Sequence, residues 1–179
     1  MPDRHDAFLA AAEIALALES AARSTGALDS VATTGICEVF PGAVNSIPSR
    51  VRMTADIRDT SSERRDGMVS RLELACEEIS ARRGVRVKIQ TVNKDAPAIC
   101  DPAVVKVLGA ACEKHGLAFD TMVSRAYHDS LFISRICPTS MLFIPCHAGV
   151  SHRPDEYSTP EAISTGTLIL AEALAVLAG

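Results

Sequence analysis

Two short stretches of this chain join imidazole to carboxylates. The first is His128-Asp129, at the predicted start of a helix. The second is Gly149-Val150-Ser151-His152-Arg153-Pro154-Asp155-Glu156-Tyr157, which follows the apolar run Met141-Leu142-Phe143-Ile144-Pro145. That run reads as a buried strand. A strand that ends in a glycine-containing loop with one histidine and two carboxylates holds its donors on a fixed backbone, and imidazole is a common ligand of zinc and its neighbours. A histidine in a polar loop is also commonly just solvated. Two such clusters on adjoining elements keep metal binding and acid–base chemistry open beside that plainer reading.

Composition narrows the classes. The 179 residues suit one domain or two small ones, and the 47% hydrophobic content is enough for a packed core. A net charge of −4 with no basic stripe and no tryptophan gives no reason to expect nucleic acid. No apolar run is read as long enough to span a membrane, and the first residues lack the layout of a secretion signal. The expectation is a cytoplasmic protein with no membrane partner. Cys37, Cys76, Cys100, Cys112, Cys137 and Cys146 form no C-x-x-C pair, so neither a zinc knuckle nor a disulfide framework is expected. Most of them sit in apolar contexts and read as small core hydrophobes.

The elements that must position these residues follow from periodicity. A helix is predicted from Asp6, as cap, to Arg23, and a strand over 30–40. Turn chemistry covers Pro41 to Pro48, and a half-buried alternating strand runs over 50–58. Ser61 opens a helix that Gly84 closes, and Val85 to Val92 alternates again. Helix, strand, strand, helix, strand would be a ferredoxin-like sandwich if one strand preceded residue 1. After a link at 96–98, Asp101-Pro102 opens a helix to His115, a residue suited to the negative end of a helix dipole. A short strand at 119–123, a helix over 128–135, the strand at 140–145 and a last helix from Thr159-Pro160 follow. The fold class is α/β: an α+β unit of ferredoxin-like type over 1–95, and a second α/β unit over 96–179.

Three blocks together carry a resemblance. They are Ser124-Arg125-Ala126-Tyr127-His128-Asp129-Ser130, then Pro138 to Cys146, then Gly149 to Tyr157. In this order they resemble the C-terminal part of the N-carbamoyl-L-amino-acid hydrolases. These stand with β-ureidopropionase and allantoate amidohydrolase among the dinuclear metallopeptidase-like amidohydrolases. Phe40-Pro41-Gly42-Ala43-Val44-Asn45-Ser46-Ile47-Pro48 and Asp56-Ile57-Arg58 look like the lid, or dimerisation, domain of the same family, and Met1, Arg4, Asp6 and Ala7 fit the end of its opening pattern.

The resemblance implies hydrolysis of the carbamoyl C–N bond of an N-carbamoyl amino acid or related ureido acid by water activated on divalent metal (zinc, or manganese, cobalt or nickel). It implies His152 as a metal ligand, with Asp155 or Glu156 accepting from its other ring nitrogen. It implies His128 facing the substrate, and Asn45 and Arg58 holding the substrate carboxylate, arginine through its planar fork. Each has a plainer reading: Asn45 as a turn builder, Arg58 as a solvated strand-edge residue, His128 as a helix cap. The lid implies a homodimer. The resemblance also implies that the first half of a catalytic domain, with most metal ligands and the general base, precedes such a chain. The expectation is therefore an N-terminally truncated chain with no complete catalytic set, inactive alone. A non-catalytic dimerisation module, or one half of a split enzyme, is the alternative. Arg125-Ala126-Tyr127 stands where the commoner branch has Gly-Ala-Gly, so Tyr127 fills space that glycine would leave open. His147 has no assigned role.

Overall fold

The structure is a computed structural model that describes Met1 and residues 3–179. The chain divides into two compact units, Met1–Pro97 and Ala98–Gly179.

In the first unit, α1 (Ala7–Arg23) starts where the Asp6 carboxylate accepts the N–H groups of Phe8 and Leu9 at 2.9 and 3.2 Å. Asp6 is buried, and its ion pair with Arg4 holds its carboxyl below the usual range despite desolvation. The next four strands are β1 (Val31–Thr33), β2 (Cys37–Phe40), β3 (Arg50–Met53) and β4 (Asp56–Arg58). They make one long antiparallel hairpin, with Val31 opposite Arg58 and Phe40 opposite Arg50. The two expected strands are each broken midway. Thr33 pairs with Asp56 and Cys37 with Met53, so residues 34–36 face only 54–55. This is a β-bulge, stitched by Thr54 N–H to Ile36 O at 3.0 Å and Ile36 N–H to Thr54 Oγ1 at 3.1 Å.

Helix α2 (Ser62–Arg83) is capped by Ser61 and ends at Gly84, whose φ of 64° suits a residue without a Cβ. Helices α1 and α2 pack together through Leu18, Leu72 and Cys76, with Ile14, Ala32, Ile57 and Val87 around them. Leu18 keeps 1% of its surface exposed, a burial that contributes about 1.5–3 kcal/mol. Asp59, whose side chain is buried, ties the sheet to α2: it accepts from Ser30 Oγ, from Ser61 N–H and from Arg64. Burial pushes its carboxyl up, but Arg64, Ser30 and Ser61 outweigh that and hold it at about 2. Two arginines of α2, Arg82 and Arg83, share Glu13 of α1. The alternating segment 85–92 places Val87 on this core, yet it forms no ladder among the described residues. Alternation fixes which side chains point inward, but a strand also needs a neighbour's N–H and C=O groups.

In the second unit, α3 (Pro102–Lys114) is capped by Asp101 and has proline in its first turn, where a missing N–H costs nothing. It packs against α5 (Pro160–Leu177) through Ala111, Cys112 and Ile169, joined by Leu108, Leu117 and Leu142. Two glycines allow close approach: a Cβ on Gly109 would meet Phe119 at 3.0 Å, and one on Gly166 would collide with the Ile144 side chain. The expected strands at 119–123 and 140–145 therefore lie against helices, but without ladder partners among the described residues. The expected helix over 128–135 shortens to α4 (Ser130–Ile133). His115 ends α3 as expected, and its Nε2 lies 3.6 Å from Glu172 of α5.

Two further expectations need correction. Only Cys76 and Cys112 are core hydrophobes, whereas Cys37, Cys100, Cys137 and Cys146 are exposed thiols. And α5 is, by length and composition, apolar enough to cross a membrane, with a mean hydropathy of 1.4. Ser164, Thr165, Thr167 and Glu172 interrupt the apolar run in the sequence, but alanine, leucine, isoleucine and valine outweigh them over the whole helix. Ile169 and Ala173 on it are buried. The α/β class stands.

Candidate functional site

The first unit presents Arg58 and Asn45 on the hairpin. Arg58 ends β4, and its guanidinium is engaged by Asp56 on the same strand: Nε donates to Oδ1 at 2.7 Å and Nη2 to Oδ2 at 2.6 Å. This pairing lowers the Asp56 carboxyl and raises the Arg58 guanidinium against the pull of partial burial. Arg58 is thus neither buried nor simply solvated.

Asn45 lies in the loop between β2 and β3, whose tip is fully turned out, since residues 41–47 are all exposed. Ser46 N–H donates to Ala43 O at 3.3 Å to close the turn. The backbone builds that turn; the Asn45 side chain does not. Asn45 and Arg58 sit at opposite ends of the hairpin. The eight steps from Arg50 to Arg58 alone amount to roughly 25 Å of strand. The structure does not bring these two residues together within one chain.

The second unit presents the two histidines. His128 precedes α4, and its carbonyl accepts Leu131 N–H at 3.0 Å. Its main chain, not its ring, serves the helix start. The ring lies edge-on to Phe143, centroids 6.4 Å apart, and its Nε2 is buried without a hydrogen-bond partner. A buried, unsatisfied ring nitrogen is costly, and it is a place where a ligand atom would be welcome. Beside it, Tyr127 meets Phe132 edge-on at 6.0 Å, and Arg135 lies over the Phe132 ring at 5.1 Å.

His152 sits in a closed loop. His147 N–H donates to Tyr157 O at 2.7 Å and joins the loop's ends, which gives His147 a role through its main chain. Inside it, Ala148 and His152 have φ of 50° and 58°, left-handed values that non-glycine residues rarely adopt. The His152 side chain is exposed. The acceptor expected for its ring is placed differently. Glu156 Oε2 accepts the main-chain N–H of His152 at 2.8 Å, and Asp155 is held by Arg153 Nε and Nη2 at 2.9 and 2.7 Å. Sequence reasoning paired these carboxylates with the ring because it could not see His152 in a left-handed conformation with its N–H turned into the loop.

An exposed imidazole fits one ligand position of a zinc-type site. Among the described residues, however, no group of three or more His, Cys, Asp and Glu side chains gathers at ligand spacing. These residues do not by themselves fit a metal centre.

The comparisons agree with the motifs. The pattern of Peptidase family M20/M25/M40 matches residues 6–176. The chain is 44% identical over 178 residues to a ureidoglycolate hydrolase of Oryza sativa subsp. japonica, which covers 99% of this chain and 37% of the relative. It is 36% identical over 167 residues to an N-carbamoyl-L-amino acid amidohydrolase of Geobacillus stearothermophilus, covering 93% of this chain and 40% of that one. Among solved structures it resembles that of AtUAH in complex with glyoxylate, with a TM-score of 0.94 and 44% identity over 99% of this chain and 42% of the other. A metallopeptidase-like α/β chain with an amidohydrolase's motif blocks is what the fold and residues define. The chain belongs to Peptidase family M20/M25/M40. It spans about two fifths of the length of the relatives it matches.

Proposed function

We propose that these residues serve an amidohydrolase that cleaves the C–N bond of a ureido acid, with a ureidoglycolate-like α-substituted acid ahead of N-carbamoyl amino acids. The observation that carries this is the 44% identity to a ureidoglycolate hydrolase across nearly every residue, against 36% to a carbamoyl-amino-acid amidohydrolase. In this reading Arg58 contacts the substrate carboxylate through a planar fork, and the Asn45 amide N–H donates to the same carboxylate. The His128 Nε2 gains from a substrate polar atom the partner it lacks. His152 would be one donor to a divalent metal, whose other ligands would have to come from outside the described residues.

Turnover then requires donors from outside these 179 residues, on the same polypeptide or another. The alternative of a non-catalytic module or half of a split enzyme is favoured by one observation, the lack of a ligand cluster among the described residues. We also propose a homodimer. Asn45 and Arg58 stand at opposite ends of one hairpin, so a single copy does not offer both to one small acid, whereas a second copy turned end to end does.

The test joins this chain to the remaining segment of the rice relative and follows ammonia release from ureidoglycolate, N-carbamoyl amino acids and allantoate, with zinc, manganese, cobalt or nickel. Turnover of ureidoglycolate ahead of the others supports the reading. Preference for an N-carbamoyl amino acid or for allantoate overturns the substrate, and no turnover with any of them favours the non-catalytic module.

A further inference from the structure

We infer that Glu156 is the positioning residue of the His152 loop: its carboxylate holds the His152 main chain in a left-handed conformation and so sets where the imidazole points. The inference rests on the reading of His152 as the loop's functional group. The direction of a side chain follows from the backbone angles that orient Cα–Cβ. At His152 φ is 58°, a region an L-residue leaves unless something holds it there. The holding contact is Glu156 Oε2, 2.8 Å from the His152 amide nitrogen. A hydrogen bond to a charged acceptor outweighs the cost of one left-handed residue.

The rest of the loop fixes Glu156 in turn. Glu156 N–H donates to Arg153 O at 3.1 Å, and the adjacent Tyr157 carbonyl is pinned by His147 N–H at 2.7 Å. Asp155, the other nearby carboxylate, is taken by the Arg153 fork and turned to a different task. One acidic side chain therefore aims the histidine and the other braces the loop. The donor is the amide, so the imidazole keeps both ring nitrogens for other uses.

The first measurement uses the 179-residue chain, labelled for NMR. Glu156→Ala should speed exchange of the His152 amide by about tenfold or more and move its amide-to-α coupling away from the left-handed value. Glu156→Gln, which keeps an acceptor of the same reach, should stay near the native values. The amides of α3 and α5 should not change in either variant. Native-like exchange and coupling at His152 in Glu156→Ala overturn the inference, and so does a general loosening of α3 and α5. The second measurement joins the chain to the remaining segment of the rice relative and titrates zinc alone, with elemental analysis of the bound ion. Glu156→Ala should weaken zinc binding by about tenfold, with recovery in Glu156→Gln. If Glu156→Ala binds zinc like the native protein while His152→Ala does not, Glu156 is not the positioning residue and the ligand reading stands. If His152→Ala binds zinc normally, the ligand reading falls, and the amide measurement alone decides whether Glu156 sets the conformation.

Discussion

The guanidinium of Arg58 is held from its own strand, by both carboxylate oxygens of Asp56 two residues away. Residues i and i+2 of a strand share a face, which makes this pairing natural on an open surface. It also means that an incoming acid must share the guanidinium with Asp56 or displace it. In the joined protein, Arg58→Lys should raise KM for a ureido acid by about tenfold, because lysine has no planar fork. Asp56→Asn should lower KM severalfold by loosening the hold, and zinc content should be unchanged in both. Steady-state kinetics with unchanged KM in both variants would return Arg58 to an ordinary strand-end residue.

The first unit should lose stability in acid. Asp59 is held at about 2 in the fold, below the ordinary aspartate value of 3.8, so its contribution is present above that ordinary value and is lost as pH falls toward 2. The shift is worth on the order of 2 kcal/mol. Glu13, held at about 2 by hydrogen bonds from Arg82 and Arg83, acts in the same direction and the same window. Tm followed between pH 5 and pH 2 should fall, and Asp59→Asn should start lower at pH 5 and fall less steeply. Equal slopes for the two proteins would assign the acid sensitivity elsewhere.

Core truncation should be costly at one position in each unit. Leu18 and Ile169 are 1% and 2% exposed. Leu18→Ala and Ile169→Ala should each lower unfolding free energy by about 2–5 kcal/mol in urea titrations. A loss below about 1 kcal/mol at either would mean that its surroundings collapse onto the space.

Sedimentation velocity should show a dimer of the 179-residue chain. Weakening it by Val39→Lys, on the half-buried face of β2, would place the contact on the hairpin. A monomer at every concentration overturns the proposed pairing of Asn45 from one copy with Arg58 from another.

Much of this was legible in the residues. Asp6, Ser61, Asp101 and Thr159 stand where helix starts are expected and cap them, because a cap is a local contact spanning three residues. The motif blocks point to the family that the whole-chain match shows, since both rest on residue types in a fixed order. What the residues did not show depends on neighbours. Val85 to Val92 alternates like a strand, but alternation is silent about a partner's backbone. The resemblance points His128 at the substrate, with a helix cap as the plainer reading, but no pattern of residues shows that burial beside Phe143 leaves its Nε2 unpartnered. The Glu156 contact escaped notice because it needs the rare backbone of His152, which no side-chain pattern announces.

The bulge at residues 34–36 carries one more consequence. Below it one register pairs the strands, and above it the register has slipped by a single residue. The loop that bears Asn45 is therefore aimed by an unmatched residue some distance away. Shortening the first strand by one, at Gly35, would let the hairpin zip into one continuous ladder without losing a pair. It would also remove a bend and swing the whole arm, carrying Asn45 to a new heading while every local contact in its own loop stayed intact. A length change in the strand, rather than a substitution in the loop, is the more economical way for this scaffold to re-aim what it presents.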